Sequence, residues 1–233
     1  MSLLTDNFGV YLPAAHLITT VIAGLCFANW HMLWTHMMLA VPGTTWKATG
    51  MNSRPTFKKL ALPSIMNALA WEVTIGMPVV IGWTMGMFTE KNGMIMGPVH
   101  GEGEPMDCLE MYKMMVVFLV GLLSFIGIYI PAHVALIRVE ASMLPAEVET
   151  VVSFDRTFGG RVVAETEGGS GKLGFADAWT SFEKVQRMRL LKVFGKIFLV
   201  ETMLHVFFGV LIVAQLLIFV GAENLVKLAK HFN

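Results

Sequence analysis

Polar residues interrupt the chain in few places, and between them run four long apolar stretches. The first extends from Pro13 to Val41, the second from about Leu62 to Phe88, the third from about Tyr112 to Ile137, and the fourth from about Lys196 to Val220. A bilayer core about 30 Å thick takes roughly 20 apolar helical residues to cross, and each stretch is long enough. Backbone groups in lipid must be satisfied within their own segment, so the spans are expected to be helices. Pro13 suits a helix start and Pro42-Gly43 a stop. Pro78 predicts a kink in the second span. The expected fold is an all-α membrane protein: a four-transmembrane-helix bundle with a structured cytosolic loop and an amphipathic interfacial helix. The expected divisions are residues 1–137 with spans one to three, 138–195 with the loop and interfacial helix, and 196–233 with span four and the tail.

Composition agrees with the pattern. Of 233 residues, 55% are hydrophobic and only 15% charged, where a soluble domain carries about 25% charged residues. Net charge is zero, which gives no electrostatic case for a nucleic-acid partner. Cys26 lies in an apolar run and Cys108 in a polar loop, so they do not read as a disulfide pair. The N-terminal MSLLTDNFGVYLP lacks a basic region and a small-residue cleavage site, so the first span is expected to act as its own targeting signal.

Charge in the loops sets orientation. Residues 42–61 hold Lys47, Arg54, Lys58 and Lys59, and residues 138–195 hold eight Lys or Arg. Residues 89–111 hold Lys91 among five acidic residues. By the positive-inside bias, the two basic loops are expected in the cytosol, with both termini and the 89–111 loop outside.

Within the long loop, residues 138–150 read as a helical continuation of span three, and VVSFDRTFGGRVV as a short strand and turn. GGSGK lacks the earlier Gly of a phosphate loop, having Thr166 there, and has Leu173 after the Lys. In FADAWTSFEKVQRMRLLKVFGK, Thr180 and Glu183 fit a capping box. Trp179, Phe182, Val185, Met188 and Leu191 recur at helical spacing, while Lys184, Arg187, Arg189 and Lys192 supply charge. The segment is expected to lie on an anionic leaflet, with Trp179 and the basic residues as membrane-surface contacts. The bland alternative is an amphipathic helix packed on the other cytosolic segments.

HMLWTH, residues 31–36, places two histidines inside the first span. Ionisable groups within a membrane are costly, so each is a functional candidate by default. The candidates are His31, His36, Glu72, His133, Glu201 and His205. His31 lies ten residues from Val41, Glu72 ten from Leu62 and His205 nine from Lys196, roughly 14–15 Å deep at about 1.5 Å per residue. His36, His133 and Glu201 lie roughly 6–8 Å deep by the same ruler. Matched depths predict a buried polar cluster. It has three readings: a transition-metal or haem site using His31, His205 and Glu72, a proton or ion relay, or a Glu72–His pair that only fixes packing. His31 and His36 are five apart, about 140° round a helix, and are not expected to share a face.

The segment after span two adds Met85, Met87, Met94, Met96, His100, Met106 and Cys108. Met94, Met96, His100 and Cys108 form a candidate Cu(I) set, since thioethers and thiolate suit that ion. Against it, methionine packs well anywhere, and this chain holds eighteen. No nucleophile with a spaced base or nucleotide loop occurs, so catalysis is not the expected role.

IPAHVALIRVEASMLPAEVETVVSFDRTFGG, followed by GFADAWTSFEKVQRMRLLK, resembles a group of small four-span membrane proteins of filamentous fungi. The likeness covers roughly residues 115–210. It implies a fungal membrane protein and carries over no site residues. The expected role is a non-enzymatic accessory or assembly subunit that binds lipid, other membrane proteins or a second copy of itself. Gly76, Gly82, Gly86, Gly121 and Gly127 offer surfaces for close helix approach. The alternative is a metal-, haem- or proton-handling protein built on the intramembrane His/Glu layer.

Overall fold

A computed structural model describes residues 5–42, 54–87, 89–91, 94–96, 107–145, 148–163 and 168–221. Four of its helices are long and apolar enough to cross a membrane: Ala15–Leu39, Phe57–Thr84, Cys108–Ser142 and Lys184–Phe219. The protein is a helical, multi-pass membrane protein. The elements are α1 (Thr5–Leu39), α2 (Arg54–Thr84), β1 (Thr89–Lys91), β2 (Met94–Met96), α3 (Cys108–Ser124), a π-helical turn (Phe125–Tyr129), α4 (Ile130–Ser142), α5 (Phe175–Thr180) and α6 (Lys184–Val220). β1 and β2 pair as a small antiparallel hairpin.

Helix limits differ from the apolar limits at several points. α1 starts eight residues before Pro13, because Val10, Tyr11 and Leu12 continue the apolar run behind the proline. α2 starts at Arg54, eight residues before Leu62, with Pro55 in its first turn, where a missing N–H costs nothing. It runs through Pro63 and Pro78. Pro63 has no N–H to give the Lys59 carbonyl, and Lys172 Nζ from the distant loop donates to that oxygen at 2.6 Å. Burial, and then the adjacent Lys59 charge, push the Lys172 pKa down. Four residues before Pro131, the Gly127 carbonyl lacks its ordinary helical donor. The chain widens there into the π turn, in which the Ile130 N–H bonds the Phe125 carbonyl.

The chain forms two compact units, one of them ending at Ser181 and the other taking up the chain from Phe182. In the first, α1 and α2 run antiparallel. His16 meets Glu72, a Cβ on Gly24 would stand 3.4 Å from the Ala68 Cβ, and Ala28 and Met32 pack with Leu60. α2 and α3 are also antiparallel: Gly121 lies against the Pro78 ring, and the Thr74 hydroxyl reaches the Ser124 carbonyl. Gly121 is thus used within the chain, whereas Gly76 and Gly127 face open space.

Beyond α4, Ala135 and Val139 form a core with Leu173 and Ala178. The Leu173 N–H bonds the Ser142 hydroxyl at 2.9 Å. The expected strand within VVSFDRTFGGRVV is absent. One bridge joins Thr150 to Ala40, and the chain then folds into a turn. Asp155 accepts from the Thr157 hydroxyl, the Gly159 N–H and the Thr157 N–H. These bonds, the Thr157 hydroxyl first, hold its carboxyl below the usual value. Phe158, Gly159 and Gly160 take positive φ, a conformation closed to an extended strand. Arg156 donates to the Pro145 and Val148 carbonyls.

The second unit is dominated by α6, one unbroken helix from Lys184 to Val220. The expected separate interfacial helix is not formed: Lys184, Arg187, Arg189 and Lys192 are the first turns of the span itself. No proline interrupts Val185–Phe219, so nothing stops the two periodic patterns from merging. The capping box fails for the same reason, since Thr180 ends α5 while Glu183 is the N-cap of α6. Trp179 sits on α5 and packs against the Ala135–Leu173 core.

Candidate functional site

The stretch HMLWTH forms one wall of a site whose centre is on another helix. Glu140, on α4, is fully buried. His31 Nδ1 donates to its two carboxylate oxygens at 2.8 and 2.9 Å. The Thr35 hydroxyl, one helical turn on, donates to Oε2 at 2.6 Å. His36 Nε2 donates to the Glu140 backbone carbonyl at 2.8 Å. His31 and His36 thus address the same residue from different angles, one its side chain and the other its backbone. His36 itself is 2% exposed and leaves Nδ1 without a partner, which marks it as a packing group joining α1 to α4.

A ladder of rings continues from the dyad. His133 meets the His31 ring edge-on, with centroids 5.6 Å apart. Tyr129 stacks on His133 at 5.3 Å and Phe125 on Tyr129 at 5.4 Å, each one turn from the next along the π turn and α4. Trp71 of α2 meets Tyr129 edge-on at 5.2 Å. His133 Nδ1 donates to the Asn67 side-chain oxygen at 3.3 Å.

Beside the ladder, α1, α2 and α4 leave an open cleft of about 260 Å³. Its walls are mostly apolar, with His31, Asn67, Tyr129 and Trp71 among the lining residues. Nδ1 of His31 is committed to Glu140, and no bond to Nε2 is made among the described residues. A carboxylate that fixes one ring nitrogen leaves the other as an oriented acceptor or base.

The family models, the curated proteins and the solved structures give no match to this chain. Function is read from the geometry.

Within the first unit, the expected cluster divides. His31, His36 and His133 come together around Glu140. Glu72 does not join them: it bonds His16 Nδ1 at 3.2 Å, fifteen residues and roughly 22 Å along α1 from His31. The depth ruler failed because it started at Leu62, whereas packing register follows the helix from Arg54. Glu201 and His205 lie one turn apart on α6, both exposed, with His205 Nδ1 donating to the Glu201 carbonyl at 2.7 Å.

No group of three His, Cys, Asp or Glu able to hold a metal ion occurs among the described residues. The expected His31–His205–Glu72 set is not assembled, since Glu72 is engaged with His16. Of the Cu(I) candidates, Met94 and Met96 lie on β2 with their side chains outside the described set, and His100 is outside it altogether. Cys108 is an exposed free thiol at the start of α3. Sequence reasoning missed Glu140, Thr35, His16, Asn67 and Tyr129. Glu140 had a signal, a carboxylate eight residues past Ala132 on the same helical run. Its closeness to Arg138 assigned it to the cytosolic loop instead.

Proposed function

We propose that this protein binds a small membrane-dissolved molecule at the His31–Glu140 dyad, through the cleft between α1, α2 and α4. One observation carries the reading. A fully buried carboxylate, satisfied by His31 and Thr35, orients an imidazole whose other nitrogen is unengaged beside an open apolar cleft. Intramembrane pockets of this kind, apolar with a few convergent polar groups, are the default ligand sites of a fold. An unsatisfied polar atom in hydrocarbon is costly, so a hydrogen-bonding ligand stabilises the site. The test is extraction of small amphiphiles from protein purified in native membrane patches, compared with the Ala23→Phe variant, which fills the cleft without touching Glu140. A compound retained near stoichiometry by the wild type and lost from the variant supports the reading. Identical extracts overturn it.

A second reading, an accessory or assembly subunit, is favoured by α6. From Phe207 to Phe219, Gln215 apart, its side chains are apolar and largely exposed, as for a helix surrounded by lipid or by other helices. Partner spans, or a second copy of the chain, would pack there, with the basic first turns at the cytosolic surface. Cross-linking from cysteines placed at Phe207 and Leu211 in native membranes tests it. Discrete protein adducts support it, and adduct-free lipid labelling opposes it. The cytosolic placement of the basic loops and the kinship with the fungal group belong to this proposal as well.

A further inference from the structure

The cleft's shape and lining select among membrane-dissolved molecules. Three aromatic side chains, Phe27, Trp71 and Tyr129, line it. Aromatic walls favour offset or edge contacts with another ring. Its volume is about 260 Å³. A cavity of about 150 Å³ holds one benzene, so this one has room for a substituted ring. Thr20, Ser64, Asn67 and His31 are the polar residues of its lining, beside the polar ends of Trp71 and Tyr129. His31 Nε2 accepts a hydrogen bond when the ring is neutral, because Nδ1 keeps its proton on Glu140. The Asn67 oxygen is taken by His133, and its amide nitrogen makes no hydrogen bond among the described residues. It is left to donate. The His31 acceptor and the Asn67 donor, beside aromatic walls, match a ring hydroxyl, which donates once and accepts once. The cleft is open on one side, so a tail leaves it for lipid.

We propose that the cleft binds the headgroup of a phenol- or hydroquinone-type amphiphile, its ring against Trp71 and Tyr129, its hydroxyl donating to His31 Nε2 and accepting from Asn67. The ligand class rests on the binding reading above and goes beyond it. No covalent or redox step is involved: the hydroxyl hydrogen stays on the ligand.

The test uses the full chain in phosphatidylcholine nanodiscs and three tail-fluorinated probes: 4-pentylphenol, its methyl ether and 4-pentylcyclohexanol. Fluorine NMR reads binding above that of empty discs. The phenol is expected to bind saturably. The ether is expected to bind about tenfold more weakly, since it lacks the donor. The cyclohexanol is expected to be weaker than the phenol, since it lacks the π face. His31→Gln and Asn67→Leu are each expected to reduce phenol binding towards that of the ether. The ligand comparisons are made on the wild type, so a variant that fails to fold does not remove the test. Equal binding of phenol and ether overturns the hydroxyl contact, and equal binding of phenol and cyclohexanol overturns the aromatic class. If Ala23→Phe loses a co-purifying amphiphile while the phenol does not bind, the ligand class alone falls. If nothing co-purifies and no probe binds, the binding reading falls with it.

Discussion

Helix α1 carries two histidine–carboxylate pairs, and they do different things. His16–Glu72 has one contact at 3.2 Å, the His16 side chain is 64% and the Glu72 side chain 17% exposed, and Glu72 Oε1 is left unbonded among the described residues. Glu140 is fully buried and receives His31 twice, Thr35 once, and His36 on its backbone. An exposed ion pair contributes about 0–1 kcal/mol. Removing one partner of a buried, hydrogen-bonded pair costs about 3–5 kcal/mol, because the other is stranded. Burial, not the identity of the residues, separates an interfacial tie from a site. The pair at His31 is also the one beside a cleft with an unengaged ring nitrogen.

The two pairs should diverge most under substitution at Glu140. Glu140→Ala strands the His31 N–H and the Thr35 hydroxyl, and is expected to lower stability by about 3–5 kcal/mol, read as thermal unfolding in nanodiscs. A loss as small as that of Glu72→Ala would erase the distinction. Next is Lys172→Met, which removes the donor to the Lys59 carbonyl at the Pro63 position. It is expected to cost about 1–2 kcal/mol and to raise hydrogen exchange around residues 57–63. Thr35→Val keeps the volume and deletes one donor to Glu140, for about 1 kcal/mol. Glu72→Gln at the outer pair is expected to cost less than about 1 kcal/mol and to leave ligand binding unchanged.

The smallest effect concerns pH at the Asp155 turn. Hydrogen bonds depress its folded pKa, so its contribution is present above the unfolded value and lost as pH falls through the folded one. Asp155→Asn is expected to flatten the acid side of the stability profile. An unchanged profile would show that the turn adds nothing to acid stability.

The spans were legible because hydrophobicity over a bilayer's thickness is a strong signal. Their ends were less so. Pro13 and Leu62 suggested limits that the helices pass, the second across Pro63, where Lys172, over a hundred residues away, donates to the Lys59 carbonyl. The same non-local effect hid the site. Depth counted from apolar edges placed Glu72 beside His31, but the antiparallel register of α1 and α2 sets Glu72 against His16. Glu140 was obscured by its neighbour Arg138: the helical continuation of span three was expected there, and α4 does run through Ser142, but the charge put it on the cytosolic side rather than within the bundle. His31 was legible as a polar residue in a span. Its partner was not, since only packing brings α4 to α1.

Whether the buried dyad orients His31 towards the cleft can be read by nitrogen NMR of histidine-labelled protein in nanodiscs, with His31 and His16 assigned by substitution. His31 is expected to hold its proton on Nδ1, hydrogen-bonded to a carboxylate, with Nε2 unengaged and shifting when a ring hydroxyl is added. His16 should ignore the ligand. A His31 protonated at Nε2, or one whose signals match His16 and do not change in Glu140→Gln, would contradict an oriented dyad.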